Sequence, residues 1–140
     1  MKTLPNDVVI FNATPHAITF WHEDWTDPVS VESDTVINAT PIETEAYPEI
    51  VGGNNSANAK KKGVDFVITK FQGNDEGTAI IESARNAGAD VVVGSIIAAQ
   101  AYPCRVMALV PSPGFERVPP DQKRMRPDKF TVFDSVDRYN

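Results

Sequence analysis

VDFVITKFQGNDEGTAIIESARNAGADVVVGSIIAAQAYPCRVMALV, residues 64–110, is the stretch whose periodicities change most clearly. Val64 to Phe71 alternates, with Val64, Phe66 and Ile68 on one face, as a strand does, and Gly73-Asn74 stops it. A helix is predicted over 74–87. Asn74 or Asp75 supplies the N-cap, Ile80, Ile81, Ala84 and Ala87 form a 3.6-residue stripe, and Gly88 ends it. Asp90 to Val93 holds three valines in succession, the pattern of a strand covered on both faces. Ser95 then caps a second helix, Ile96 to Tyr102, which Pro103 terminates. Arg105 to Val110 is the next strand. The stretch therefore predicts strand, helix, strand, helix, strand around one sheet.

Towards the N-terminus, Val8 to Phe11 and Ala17 to Trp21 are β-branched and aromatic runs separated by Thr14-Pro15-His16. Pro15 has no N–H and a fixed φ, so the two runs read as a hairpin or a bulged strand around a proline turn. Residues 22–28 form a polar loop, and Val29 to Val31 and Thr35 to Ile37 are two further short strands. After Pro41 the chain reads as irregular, and GGNNSANAKKKG at 52–63 reads as a flexible loop. Beyond 110 a Pro-rich loop spans 111–127 and Lys129 to Phe133 forms a last strand. Asn12-Ala13-Thr14-Pro15 recurs as Asn38-Ala39-Thr40-Pro41, but one echo with divergent flanks is not a repeat architecture. The expected fold is a mixed-sheet α/β (α+β) single domain, 1–140, with a β-rich N-terminal half.

Composition bounds the function. A chain of 140 residues, 41% apolar and 23% charged, has the size and apolar content of one globular domain. Cys104, the single cysteine, excludes an intramolecular disulfide framework and a four-cysteine zinc module. No run reaches the ~18 apolar residues of a membrane span, and the N-terminus has no secretory pattern, so no membrane partner and a cytoplasmic location are expected. Net charge is −6, and residues 1–60 carry nine acidic against two basic side chains. That half repels phosphate backbones over a Debye length of ~8 Å, which disfavours duplex nucleic acid. By contrast Arg117, Lys123, Arg124, Arg126 and Lys129 outnumber Glu116, Asp121 and Asp128, a local excess suited to a small anion.

Three groups of residues carry possible chemistry. Ser95 stands where a buried strand gives way to a helix, a place where unpaired N–H groups meet anions, although a plain capping role, the commoner one for a helix-initial serine, explains it more simply. Arg105 begins a strand close by, and Arg117, Arg124 and Arg126 sit on a loop able to fold over it; guanidinium groups suit bidentate phosphate recognition. His16 is aimed by a rigid turn and titrates near neutrality. Trp21, Trp25 and Tyr102 offer stacking surfaces. His22 with Glu23, Asp24 and Asp27 lacks the spacing of a metal motif, Gly94-Ser95 lacks the second glycine of a nucleophile elbow, and Cys104 lacks a basic neighbour pattern apart from Arg105. No catalytic residue, metal or cofactor is assigned.

The segment VIFNATPHAIT, with Asn12, Thr14, Pro15 and His16 in order, resembles the N-terminal Asn-Leu-Thr-Pro-His signature of a mostly uncharacterised family of small proteins carried by bacteriophages and prophages. Ala13 replaces the leucine. Val91 to Pro111 is similar to that family's second signature: an apolar strand, a serine, an Ala-rich helix, then arginine and a strand ending in Val-Pro. The two motifs cover about a third of the chain. The resemblance implies a phage or prophage setting, hence a host-cell cytoplasm. By context it implies a likeness to anti-defence sponges that sequester nucleotide immune signals. The combined expectation is a non-catalytic, homo-oligomeric binding protein that holds a small anionic nucleotide-like ligand with Asn12, Thr14, His16, Ser95, Arg105, Arg117, Arg124 and Arg126. A phage structural or host-takeover interaction module and a nucleotide-processing enzyme are the alternatives.

Overall fold

Why the proline turn does not make a hairpin is the key to the architecture. In the computed structural model, which describes residues 1–46 and 53–134, β1 (Lys2–Thr3) pairs antiparallel with β2 (Val9–Asn12). β3 (Ile18–Phe20) belongs to a different sheet. The Asn12 side chain accepts the Thr14 N–H at 3.0 Å and bends the chain, an Asx-type turn that redirects the backbone out of the first ladder. Beyond the turn, β3 pairs antiparallel with β4 (Val29–Val31) in the register Ile18↔Val31, and β2 takes a parallel partner 81 residues away instead.

That partner is β7 (Val91–Val93), in the register Ile10↔Val91, Phe11↔Val92 and Asn12↔Val93. The valine triplet is covered on both faces, as its composition predicts. Val92 joins a cluster with Ile81, Ala84, Ala98, Tyr102 and Val106, and Val93 joins another with Leu4, Ile10, Ile18, Phe20 and Val31. One face of the β1-β2-β7 sheet thus packs on helices, the other on the second sheet. The second sheet has the order β4-β3-β9-β8, with β8 at Ala108–Pro111 and β9 at Met125–Thr131. A parallel bridge between Val93 and Met107 ties the two sheets together.

Among the described residues there are nine strands and three helices, an α+β domain. The helix expected at 74–87 is α2 (Asp75–Asn86). Asn74 Oδ1 accepts the Gly77 N–H at 2.8 Å, and Gly88 (φ +103°) closes the C-terminus with Gly88 N–H on Arg85 O and Ala89 N–H on Ala84 O. The second expected helix is α3 (Ile96–Ala101), with Ser95 as its N-cap.

Several expectations need correction. The segment 53–61, read as part of a flexible loop, is helix α1 (Gly53–Lys61); Gly52 lies outside the described residues. Its Lys60 and Lys61 suit the negative end of the helix, and Gly63 (φ +91°) terminates it in the same two-bond pattern as Gly88, with Val64 N–H on Ala59 O and Gly63 N–H on Lys60 O. The chain is not irregular after Pro41: β5 (Thr40–Glu45) pairs with β6 (Val67–Gln72) over six residues. Thr35 to Ile37 is not a strand; Thr35 N–H and Ile37 N–H bond to Asn12 O and Ala13 O as single contacts. Nor do the strands of 64–110 share one sheet, since β6, β7 and β8 lie in three. The Pro-rich loop ends before 125, because β9 includes Pro127. Three residues of β8 (Leu109 to Pro111) face six of β9 (Met125 to Phe130), and Pro127 sits in the resulting bulge, where no ladder donor is required.

Candidate functional site

Asn12 is completely buried, and every polar position of its side chain is occupied by the chain itself. Nδ2 donates to His16 O at 2.8 Å and Val31 O at 3.0 Å, while Oδ1 accepts from Thr14 N at 3.0 Å and Thr14 Oγ1 at 2.7 Å. No donor or acceptor is left for a ligand. Asn12 is a positioning residue that pins the end of β2, the end of β4 and the start of β3 at one point. Thr14 Oγ1 also lies 3.0 Å from His16 O, so the Asn12-Thr14 pair fixes the backbone from which the imidazole departs.

The His16 side chain leaves this scaffold on the surface and lines a cavity of about 520 Å³. Thr14, Thr19, Asp121 and Lys123 contribute its polar wall, and Ile18, Leu109 and Met125 its apolar one. Among the described residues, neither the imidazole nor the Lys123 ammonium has a hydrogen bond or an ion pair within the chain. The cavity therefore offers one compact cation, one imidazole and, beside them, the Asp121 carboxylate.

A second feature lies along the same strands. Ile18 and Phe20 point inward, so period-two alternation sends Thr19 and Trp21 to the opposite face of the sheet. The Arg124 guanidinium lies 5.3 Å from the Trp21 ring and 5.1 Å from Phe115, and the two rings are 6.1 Å apart at 60°. This is cation–π packing with an edge-to-face component, and it holds the indole in place. Two residues on, Arg126 makes a bidentate pair with Asp128, Nε to Oδ1 and Nη2 to Oδ2, both at 3.0 Å. The charge-assisted bonds hold the Asp128 carboxyl below its ordinary range and raise the guanidinium further. Trp21, His22, Glu23, Ser112 and Arg126 line a cavity of about 280 Å³. Buried Ser112 donates to Trp21 O at 3.0 Å and closes its floor.

The expected site residues thus separate. Asn12, Thr14 and His16 come together; Arg126 lies in β9 and lines the neighbouring cavity, while Arg124, just before β9, packs on Trp21 outside it. Ser95 is remote from both in function: its oxygen accepts the Ala98 N–H at 3.1 Å, and it lines neither cavity. Arg105 extends to α2, where Nη2 is 3.8 Å from Glu82 Oε1. Arg117 is exposed on the loop before β9 and lines neither cavity. Tyr102 is core, its hydroxyl bonded to Asn38 O and to Asn74 N–H. Lys123 and Asp128 entered the sequence reading only as members of the charged 117–129 segment, with no indication of which cavity each would line, and Phe115 and Ser112 carried no signal. Among the described residues no three His, Cys, Asp or Glu side chains converge as metal ligands, and no helix is long and apolar enough to cross a membrane. No protein-family model, curated protein or solved structure matches the chain.

Proposed function

We propose that this protein is a non-catalytic binding protein for a small anionic, nucleotide-like ligand, seated in the cavity beside His16. The observation that carries the reading is the pairing of two side chains without partners among the described residues, His16 and Lys123, on a cavity of about 520 Å³ whose wall combines Ile18, Leu109 and Met125 with the polar Thr14, Thr19 and Asp121. That combination, a few polar groups on a concave apolar surface, is how small-molecule sites obtain both affinity and orientation. Ser95, Arg105 and Arg117 are not part of this proposal. In the phage setting that the Asn12-Thr14-Pro15-His16 resemblance implies, such a protein sequesters a nucleotide signal of the host. Calorimetric titration against a panel of nucleotides at ~100 μM protein is the test. A phosphate-dependent partner is expected, and His16→Ala and Lys123→Ala should each weaken it by about 1.5–3 kcal/mol, the range of a hydrogen bond to a charged group, with the melting temperature retained. No binding across the panel overturns the reading.

One observation favours a second reading, a protein-interaction module. Every residue of β5 is exposed, and so are Ile42, Val67 and Ile68 of the two-stranded β5-β6 ribbon. Isolated two-stranded ribbons are marginal in water, and exposed apolar strands mark interaction surfaces. Ile42→Lys with Ile68→Lys should abolish self-association or partner capture under this reading while leaving nucleotide titrations unchanged.

A further inference from the structure

The cavity beside Trp21 has a donor pattern that differs from that of the His16 cavity. A guanidinium has two edges that can each present a pair of parallel N–H groups. Asp128 occupies the Nε–Nη2 edge of Arg126. The Nη1–Nη2 edge has no partner among the described residues, and Arg126 lines the cavity. The carboxylate fixes the plane of the group and at the same time neutralises it. Glu23 adds a negative charge to the cavity wall, and Arg124, outside it between two rings, restores the local balance to zero. An anion gains no net attraction there. An uncharged planar ligand with two adjacent acceptors on one edge gains two aligned hydrogen bonds.

The remaining walls fit such a ligand. Trp21 is held by Arg124 and Phe115, so an indole is available for stacking with little loss of conformational freedom. His22 also lines the cavity; its Nδ1 is engaged by Asp24, 3.1 Å from the backbone N–H and 3.3 Å from Oδ2. Its Nε2 is 3.8 Å from Asp128 Oδ2, too far for a hydrogen bond. A volume of about 280 Å³ accommodates a bicyclic base. We propose that this cavity is a nucleobase site that selects guanine, stacking it with Trp21 and reading its O6/N7 edge with the free edge of Arg126. Adenine presents N7 beside an N6 amino group, so one of the two guanidinium donors meets another donor. The inference deepens the nucleotide reading by naming its base, and rests on that reading for the class of ligand.

The test uses nucleosides, which lack phosphate, so that its failure and that of the His16 site are read separately. In a Trp25→Phe background, which leaves Trp21 as the sole tryptophan, guanosine is expected to quench Trp21 fluorescence saturably. It should bind about tenfold or more tightly than adenosine, consistent with bidentate discrimination of a base. Inosine, which shares the O6/N7 edge, should follow guanosine. Arg126→Lys should remove the preference, because an ammonium cannot offer two parallel donors, and His16→Ala and Lys123→Ala should leave guanosine binding unchanged. Equal binding of guanosine and adenosine, absence of saturable quenching by guanosine, tighter binding of benzoate than of guanosine, or a preference that survives Arg126→Lys would each overturn the proposal. A guanine nucleotide that binds through His16 and Lys123 but is indifferent to Arg126→Lys overturns it while leaving the anion site standing.

Discussion

Asn12 and His16 are separated by four positions and have opposite roles, and the difference is one of hydrogen-bond capacity. Asn12 has both donors and both acceptor sites satisfied where it is fully buried, so its removal takes a donor from Val31 O and from His16 O and the acceptor from Thr14 N, and leaves His16 O only the Thr14 hydroxyl. Each unsatisfied buried group costs about 1–3 kcal/mol, and Asn12→Ala is expected to destabilise the fold by about 3 kcal/mol or more, measured by urea denaturation. The exposed His16 imidazole has no such debt to the fold. At Asp128 the pH dependence has a defined sign. Arg126 depresses the carboxyl in the folded state, so the pair's contribution is present above the unfolded value near ~3.9 and is lost as pH falls through the lower folded value. The pair is partly exposed, and its worth is at most about 1 kcal/mol. Asp128→Asn should lower stability slightly at pH 6 and cease to differ from the parent in acid, once the pH has fallen through the lowered folded value. A difference that persists unchanged into that acid range would contradict this assignment.

At the level of elements, helix ends were legible and sheet membership was not. Asn74, Ser95 and Gly88 act within four residues of themselves, and each does what its chemistry predicts. Gly63 carried the same message after Lys60, Lys61 and Lys62, and the Asn-rich composition of the segment before it masked the helix. Packing supplies a case in which local propensity gives the wrong sign. Gly77 lies in the first turn of α2, where alanine is favoured by about 1 kcal/mol on propensity alone. A Cβ there would stand 1.9 Å from Tyr102 Oη and 2.4 Å from its Cζ. That ring is buried and its hydroxyl is held by Asn38 and Asn74, so it cannot retreat freely. Gly77→Ala is therefore expected to destabilise by about 1–3 kcal/mol, the cost of overpacking, and a stabilised variant in thermal melts would refute the close approach.

Across the molecule, β7 couples the two hydrophobic clusters, Val92 serving one and Val93 the other, and the Val93–Met107 bridge links the sheets. Such a wall common to both cores predicts a single cooperative transition. Val92→Ala and Val93→Ala should each cost about 2 kcal/mol through lost burial and the cavity left behind, and both should lower one melting transition with calorimetric and van't Hoff enthalpies in agreement. Two resolved transitions in either variant would show that the clusters fold independently.

The α+β class, both helices of 74–101 with their caps, the doubly covered valine strand and the turn at Thr14-Pro15-His16 were all readable from residue order, because capping, period and turn chemistry act over a few residues. Which strands pair was not. β2 with β7, β3 with β9 and β5 with β6 are contacts between distant segments, and a run such as Val9–Asn12 contains nothing that chooses its neighbour. The same distinction divides the candidate sites. His16 was visible as a residue aimed by its own turn. Lys123 beside it, and the assembly of Trp21 with Phe115, Arg124 and Arg126 from more than ninety residues further along the chain, exist only because the parallel pairing of β3 with β9 and the bulge at Pro127 bring those side chains together.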